Sequence, residues 1–300
     1  METVLLTGAT GFLGSHLVER LVKEDCRVIA LKRSFSDTWR IKHLLPDITT
    51  YDMDKASLEN IFRENKLDAI IHTATTYGKK GEDNAAIIES NLLLPVRLLG
   101  LSASYNVGTF INTDSFFNTA DLNYKYLSGY SLSKRQLVEW LKLLSGKIQI
   151  VNLRIEHLYG PGDSDSKFVI WIIRELIKNV PALKLTKGEQ KRDFIYVSDA
   201  VDAFVTALNK RRELPAYSCF EVGTGGPISI RDFAVQVKKA VSEISGKEIG
   251  TVLDFGAVPY AEGEIMESKA DDSALKKLGW DCSVSLREGL EKTIREILKH

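Results

Sequence analysis

METVLLTGATGFLG, residues Met1 to Gly14, is the stretch that decides how this chain folds. Val4, Leu5 and Leu6 form a short apolar run, with the β-branched valine that a buried strand prefers, and the run stops at Thr7-Gly8. Beyond it come Gly8-x-x-Gly11-x-x-Gly14 and then Ser15 to Val22, where apolar positions recur at helical spacing. Strand, glycine turn and helix in this order build a cradle for a pyrophosphate. Gly8 can take the angles of a tight turn, Gly11 lets the main chain approach phosphates, and Gly14 lets the helix pack closely on the strand. The free N–H groups and the dipole at the helix start then face the anion. Thr10, Phe12 and Leu13 lie among these glycines and count with them as expected cofactor contacts.

The rest of the composition agrees with a sizeable α/β protein. Three hundred residues suit one doubly wound parallel sheet plus a smaller unit, and 44% hydrophobic residues can fill a real core. The 40 basic and 40 acidic residues cancel, so no overall field favours nucleic acid, and any anionic ligand must be met by local arginines. Cys26, Cys219 and Cys282 stand far apart with no C-x-x-C, which argues against a metal site and suits a reducing compartment. No apolar run reads as a membrane span and the first strand starts at once, so a cytoplasmic protein without membrane partners is expected.

Working outward, Cys26 to Leu31 reads as a second buried strand ending in Lys32-Arg33-Ser34. The second strand of a dinucleotide fold reaches the adenosine ribose, where an acid would bond the ribose hydroxyls of NAD and repel a 2′-phosphate. Two cations and a hydroxyl favour NADP(H) over NAD(H), the competing reading being a solvated basic loop. Ile48 to Asp54 supplies a third strand, with Asp52 and Met53 at the adenine rim, and Leu67 to Ala74 a fourth. His72 on that strand reads as a structural histidine. Asn84 to Ser104 and Tyr126 to Ser145 read as long helices, with the strand Thr109 to Asn112 between them.

Tyr130-Ser131-Leu132-Ser133-Lys134 is Y-x-x-x-K, which places both side chains on one helical face a turn apart. A lysine ammonium beside a tyrosine stabilises the phenolate, so the tyrosine pKa is expected to fall towards neutrality and the pair to pass a proton to or from a ketone or sugar hydroxyl. The lysine can also hold the nicotinamide ribose.

TGxxGxxG followed by Y-x-x-x-K resembles the short-chain dehydrogenase/reductase superfamily, and the ending F-L-G resembles its extended branch, the epimerases, dehydratases and reductases of nucleotide sugars. That resemblance implies a Rossmann-like sheet, a nicotinamide cofactor and a nucleotide-sugar substrate. His72-Thr73-Ala74-Thr75 resembles H-x-A-A, whose small side chains at Thr73 and Ala74 would let the backbone lie against the cofactor, and Asn91 matches an asparagine that steadies the helix beside the site. Thr113-Asp114-Ser115-Phe116-Phe117 looks like the T-D-E-V-Y of dehydratases, making Thr113 the active-site hydroxyl. Aligned instead on the S-S-S of epimerases, Ser115 takes that role. Ser115 stands where dehydratases have a glutamate, so the base for elimination is missing and Asp114 is left as a substrate contact.

Val151 to Ile155 is a strand, and Leu153-Arg154 to Gly162 resembles L-R-x-x-x-x-Y-G-P-G, which places His157 near substrate. Phe168 to Lys178 reads as a helix. Lys191 to Ala200 resembles R-D-F-I-H-V-x-D-A, in which the arginine matching Arg192 contacts the nucleotide diphosphate; an ion pair with Asp193 or Asp199 is the competing reading. Phe220 to Gly225 returns to the sheet, Ser229 caps a helix, Lys277 to Trp280 is again family-like, and Ser285 to Leu298 is a final amphipathic helix. The expected division is a dinucleotide-binding domain over 1–153, rejoined around 194–226, and an interleaved nucleotide-sugar domain over 154–300.

N-T-D-S-F-F with Y-S-L-S-K also resembles the reductases that make CDP-linked 3,6-dideoxyhexoses such as abequose or paratose. The function this implies is NADPH-dependent reduction of a 4-keto group on a nucleotide-activated deoxyhexose. A 4-epimerase with tightly held NAD is the alternative, and a catalytically silent binding protein the second. The family's dimers form through the two long helices, so a homodimer is expected. Specificity is expected in the loops Asp163 to Lys167 and Gly256 to Glu267.

Overall fold

The computed structural model describes residues 1–78, 81–119 and 127–299. Its strands are β1 (Thr3–Thr7), β2 (Arg27–Lys32), β3 (Thr49–Asp52), β4 (Ala69–His72), β5 (Thr109–Ser115), β6 (Gln149–Ile155), β7 (His157–Tyr159), β8 (Ala182–Leu185), β9 (Lys191–Arg192), β10 (Phe194–Tyr196), β11 (Tyr217–Val222), β12 (Ile228–Ser229) and β13 (Val252–Phe255). Seven of them form one sheet in the order β11-β6-β5-β4-β1-β2-β3, every neighbouring pair parallel. The fold is the Rossmann-like α/β sheet expected from the sequence.

Alternation along the strands sets the two layers. Val4 and Leu6 face one side, where they meet Leu17, Val18 and Leu21 of α1 (Phe12–Lys23). Leu5 faces the other, in a cluster with Ile61 of α2 (Leu58–Glu64), Leu98 of α4 (Leu94–Ser104) and Leu137 of α5 (Ser128–Leu144). Parallel strands buried on both faces explain why the strand segments read as continuous apolar runs. The expected start of the long helix at Tyr126 lies outside the described residues.

The run expected as one helix over Asn84 to Ser104 is three segments: α3 (Asn84–Ile88), a π turn over Glu89–Leu93, and α4. Pro95 at the start of α4 lacks an N–H and leaves a preceding carbonyl without its usual partner, which accounts for the widened turn. Contrary to the expectation that no such run exists, these 21 residues are long and apolar enough to cross a membrane. They pack on the sheet instead, with Leu94, Leu98 and Leu99 buried.

Past β6 the chain forms the strand pairs β7–β10, β9–β12 and β8–β13 and the helices α6 (Phe168–Ile177), α7 (Val197–Lys210), α8 (Ile230–Ser245), α9 (Ser273–Lys277) and α10 (Leu286–Ile297). Ser229 caps α8 by accepting from Asp232 N at 3.0 Å, and Ser285 caps α10 by accepting from Glu288 N at 3.3 Å. One apolar cluster runs from Leu6 and Leu17 through Phe204 to Phe233 and Leu290, so the later elements share their core with the sheet.

Candidate active site

The order of strands reverses between β1 and β4, and a cleft opens there at the carboxyl ends of the strands, where ligands bind in doubly wound sheets. Its volume is ≈ 2180 Å³, well above the roughly 300–1,000 Å³ of a pocket for one small ligand. Gly8 has a φ of 70°, and a Cβ there would lie 2.6 Å from Ala74 N. A Cβ on Gly14 would lie 2.1 Å from the Gly8 carbonyl oxygen. The turn therefore shows bare backbone to the cleft at the start of α1, and Thr10, Phe12 and Leu13 line the same wall. This cradle fits the pyrophosphate of a dinucleotide.

The basic end of β2 is more committed than its sequence implies. Lys32 Nζ is paired with Asp52 Oδ1, and Asp54 accepts from Ser34 N at 2.7 Å and from Ser34 Oγ at 2.6 Å. Arg33 is exposed and lies over the Phe35 ring. Met53 lines the cleft, whereas Asp52 is spent on Lys32. Sequence reasoning missed Arg40, which lies on an irregular helical segment that no periodicity announces. It donates to Gly162 O at 2.9 Å and Thr10 O at 3.3 Å, tying the glycine turn to the loop that follows β7.

After β4 the chain lies against the turn. Thr73 Oγ1 donates to Thr7 O at 2.8 Å, and Thr73 and Ala74 line the cleft. His72 is fully buried, 2.8 Å from Thr7 Oγ1, and burial followed by the Lys134 charge lowers its pKa to about 3, so it is a neutral structural group. Asn91, in the π turn, accepts from Thr76 N at 2.7 Å and donates to Thr76 O and Ser133 Oγ, which fixes the β4 loop to α5.

Thr113, Ser115, Tyr130 and Lys134 meet at the end of β5. Lys134 Nζ donates to Thr113 O at 2.8 Å, and burial lowers its pKa to about 8. Ser115 stands beside the Tyr130 hydroxyl and acts to lower its pKa, while Thr113 Oγ1 lines the cleft buried and without a partner among the described residues. The Tyr130 pKa moves opposite to expectation: burial, then the nearby Tyr77 and Asp114, raise it well above the usual phenol value. A phenol 4% exposed loses more solvation on ionising than Ser115 beside it returns. Asp114 is no free contact, because its oxygens accept from Ser115 N, Asn118 and Asn152. It fixes the end of β5.

The far wall comes from β7, β9 and the loop before α6. His157 packs 4.1 Å from Phe116, and burial with Arg192 and Lys167 holds its pKa well below 6.5. Arg192 pairs with Glu264, and neither Asp193 nor Asp199 is its partner. Asp193 instead accepts from Thr224 N, Gly225 N and Ala270 N, and Asp199 from Val284 N and Ser283 Oγ. Glu156, unremarked in the sequence reading, lines the cleft with its pKa raised by burial to about 7 and accepts from Ser268 Oγ at 2.5 Å. Among the described residues no group of His, Cys, Asp or Glu is placed to hold a metal.

Comparison with known proteins agrees with this architecture. Residues 4–223 match the family described as NAD dependent epimerase/dehydratase. The CDP-abequose synthase of Salmonella typhimurium strain LT2 is 36% identical over 300 residues, covering 99% of this chain and 98% of that protein. The UDP-glucose 4-epimerase of Thermotoga maritima, solved with UDP-glucose, matches with a TM-score of 0.83 at 23% identity over 99% of each chain. The UDP-glucose 4-epimerase of Thermus thermophilus, solved with NAD, matches at 0.81 and 24% over 99% of each chain. A glycine turn on the first parallel strand, a tyrosine–lysine pair at the end of the fifth and this full-length similarity identify the chain as a nicotinamide-dependent enzyme of the short-chain dehydrogenase/reductase type, a member of the NAD dependent epimerase/dehydratase family.

Proposed function

We propose that this enzyme uses NADPH to reduce the 4-keto group of a nucleotide-activated deoxyhexose, CDP-linked in the first instance, on the way to a deoxysugar for surface polysaccharide. The observation that carries the reading is the Tyr130 phenol, kept protonated by burial beside Ser115, which stands where a dehydratase would have a carboxylate. Such a group is an acid awaiting a developing alkoxide. When bound, the reduced nicotinamide supplies the hydride that the keto carbon receives. Tyr130 gives its proton to the keto oxygen, Thr113 Oγ1 has free capacity to hold that oxygen, and Lys134 offsets the charge left on the phenolate. Arg192, with His157 beside it, turns from Glu264 to the substrate diphosphate. The 36% identity to a CDP-abequose synthase supports the CDP-linked 3,6-dideoxy class.

For the cofactor, Arg33 and Arg40 supply the cations for a 2′-phosphate, since Lys32 is neutralised by Asp52. The same Asp52 and Asp54 favour the second reading, an epimerase that retains NAD. The two readings separate on NADPH absorbance with a CDP-4-keto-6-deoxyhexose. Stoichiometric loss of NADPH, slower with NADH, is the expected result, and Arg33→Ala should raise the KM for NADPH about tenfold while leaving that for NADH unchanged. No net oxidation, with a nucleotide hexose converted to its C4 isomer, would establish the epimerase.

A further inference from the structure

β2 and β3 leave the sheet side by side at the edge of the cleft. Lys32 is the register partner of Asp52, and Met53 N donates to Lys32 O at 2.8 Å, so the ladder continues one step past β3. One residue further, Asp54 stands across from Ser34. Its two carboxylate oxygens accept from Ser34 N at 2.7 Å and from Ser34 Oγ at 2.6 Å. Those two bonds, the hydroxyl first, lower the Asp54 pKa and keep the carboxylate ionised. Arg33 and Asp54 both line the cleft, and the Arg33 guanidinium makes no ion pair among the described residues. Lys55, the other charge near the carboxylate, is exposed.

A backbone N–H and a hydroxyl aimed at one anion are what a phosphate also needs, and a guanidinium at the side completes such a seat. The end of the second strand is where the adenosine ribose of a dinucleotide lies. Asp54 therefore opposes a 2′-phosphate twice, because it holds the donors and its own charge repels the dianion. A ribose with a free 2′-hydroxyl meets neither obstacle. The acid that usually discriminates sits at the end of the second strand itself, a place held here by Lys32-Arg33-Ser34. We propose that Asp54, from the neighbouring strand, sets how far the cleft discriminates against a 2′-phosphate, by holding the Ser34 N–H and hydroxyl that the phosphate needs. The proposal rests on the cofactor reading above and deepens it. NADPH binds by displacing the Asp54 carboxylate, which is exposed to water, and by pairing with Arg33.

Asp54→Asn removes the charge but keeps an acceptor oxygen, and Asp54→Ala also frees both Ser34 donors. Asp54 is exposed, so the thermal midpoints should match the wild type. The measurement is titration calorimetry with adenosine 2′,5′-bisphosphate and adenosine 5′-monophosphate, which differ only in the 2′-phosphate. The affinity ratio of bisphosphate to monophosphate is expected to rise about tenfold in Asp54→Asn and at least as far in Asp54→Ala. Adding Ser34→Ala to Asp54→Ala should give back about threefold of that gain, because the hydroxyl is then the phosphate's own donor. A ratio that Asp54→Ala raises by less than about threefold, or a gain that Ser34→Ala leaves intact, overturns the proposal. The NADPH reading fails separately, when the wild-type protein binds the bisphosphate no more tightly than the monophosphate. That result with the Asp54 gain still present keeps the proposal and makes NAD(H) the cofactor.

Discussion

Glu156 carries a side chain that sequence offered no reason to single out, yet tertiary burial gives it a titration near neutrality. Its pKa is 4.5 in an exposed chain and about 7 in the fold, because desolvation outweighs the Ser268 hydrogen bond. Between those values the folded state binds a proton that the unfolded state does not. Stability is therefore greatest below about pH 4.5 on this account and falls as pH rises to about 7, by on the order of 3 kcal/mol if the whole shift is expressed. Glu156→Gln should flatten that part of the urea-unfolding midpoint against pH. Asp163, raised from 3.8 to about 6, leaves a dependence of the same sign between those values. A variant as pH-sensitive as the wild type would show that Glu156 stays ionised. Tyr130 and Lys134 were legible as a pair from their spacing. The direction of the Tyr130 shift was not, because it depends on how many neighbours exclude water.

At the scale of elements, the strand-turn-helix was readable because each glycine has a local job, and the structure adds the magnitude: Gly14 sits where a Cβ would collide with backbone. The break in the long helix had a visible signal in Pro95, but the period of the apolar residues masked it. Asp193 was read as a possible partner for Arg192 because charge pairs by proximity in sequence. It lies instead with no exposed surface, gathering backbone N–H groups from β11's exit and from the stretch before α9. Asp193→Ala strands three backbone donors, that of Ala270 buried and those of Thr224 and Gly225 partly so, so a loss of about 3 kcal/mol is expected, read as a lowered denaturant midpoint. Asp193→Asn, which keeps one acceptor oxygen, should lose less. Equal stability of Ala and wild type would mean that water replaces the carboxylate without cost.

At the scale of the whole molecule, a cleft lies between the sheet's carboxyl edge and the later elements, large enough for a dinucleotide and a nucleotide sugar side by side. Ile88 of α3 and Leu132, Trp140 and Leu143 of α5 are exposed apolar side chains outside the cleft lining, with Leu143 69% exposed. Apolar side chains grouped on one face suit association with a second copy. We propose a homodimer through these helices. Light scattering should give twice the chain mass for the wild type and the single mass for Leu143→Asp, with the far-ultraviolet spectrum unchanged. A wild-type monomer at micromolar concentration would remove the proposal.

Sequence alone determined what is local or periodic: the buried strands, the glycine cradle, the Tyr130–Lys134 face and the capped helices, because each follows from a few neighbouring residues and backbone geometry. Tertiary structure alone decided the rest. It paired Lys32 with Asp52 and Arg192 with Glu264, spent Asp114 on Ser115 N, Asn118 and Asn152, brought Tyr77 over Tyr130 and buried Glu156. These outcomes depend on contacts between residues far apart in the chain and on how completely packing removes water, and neither quantity is written in local spacing.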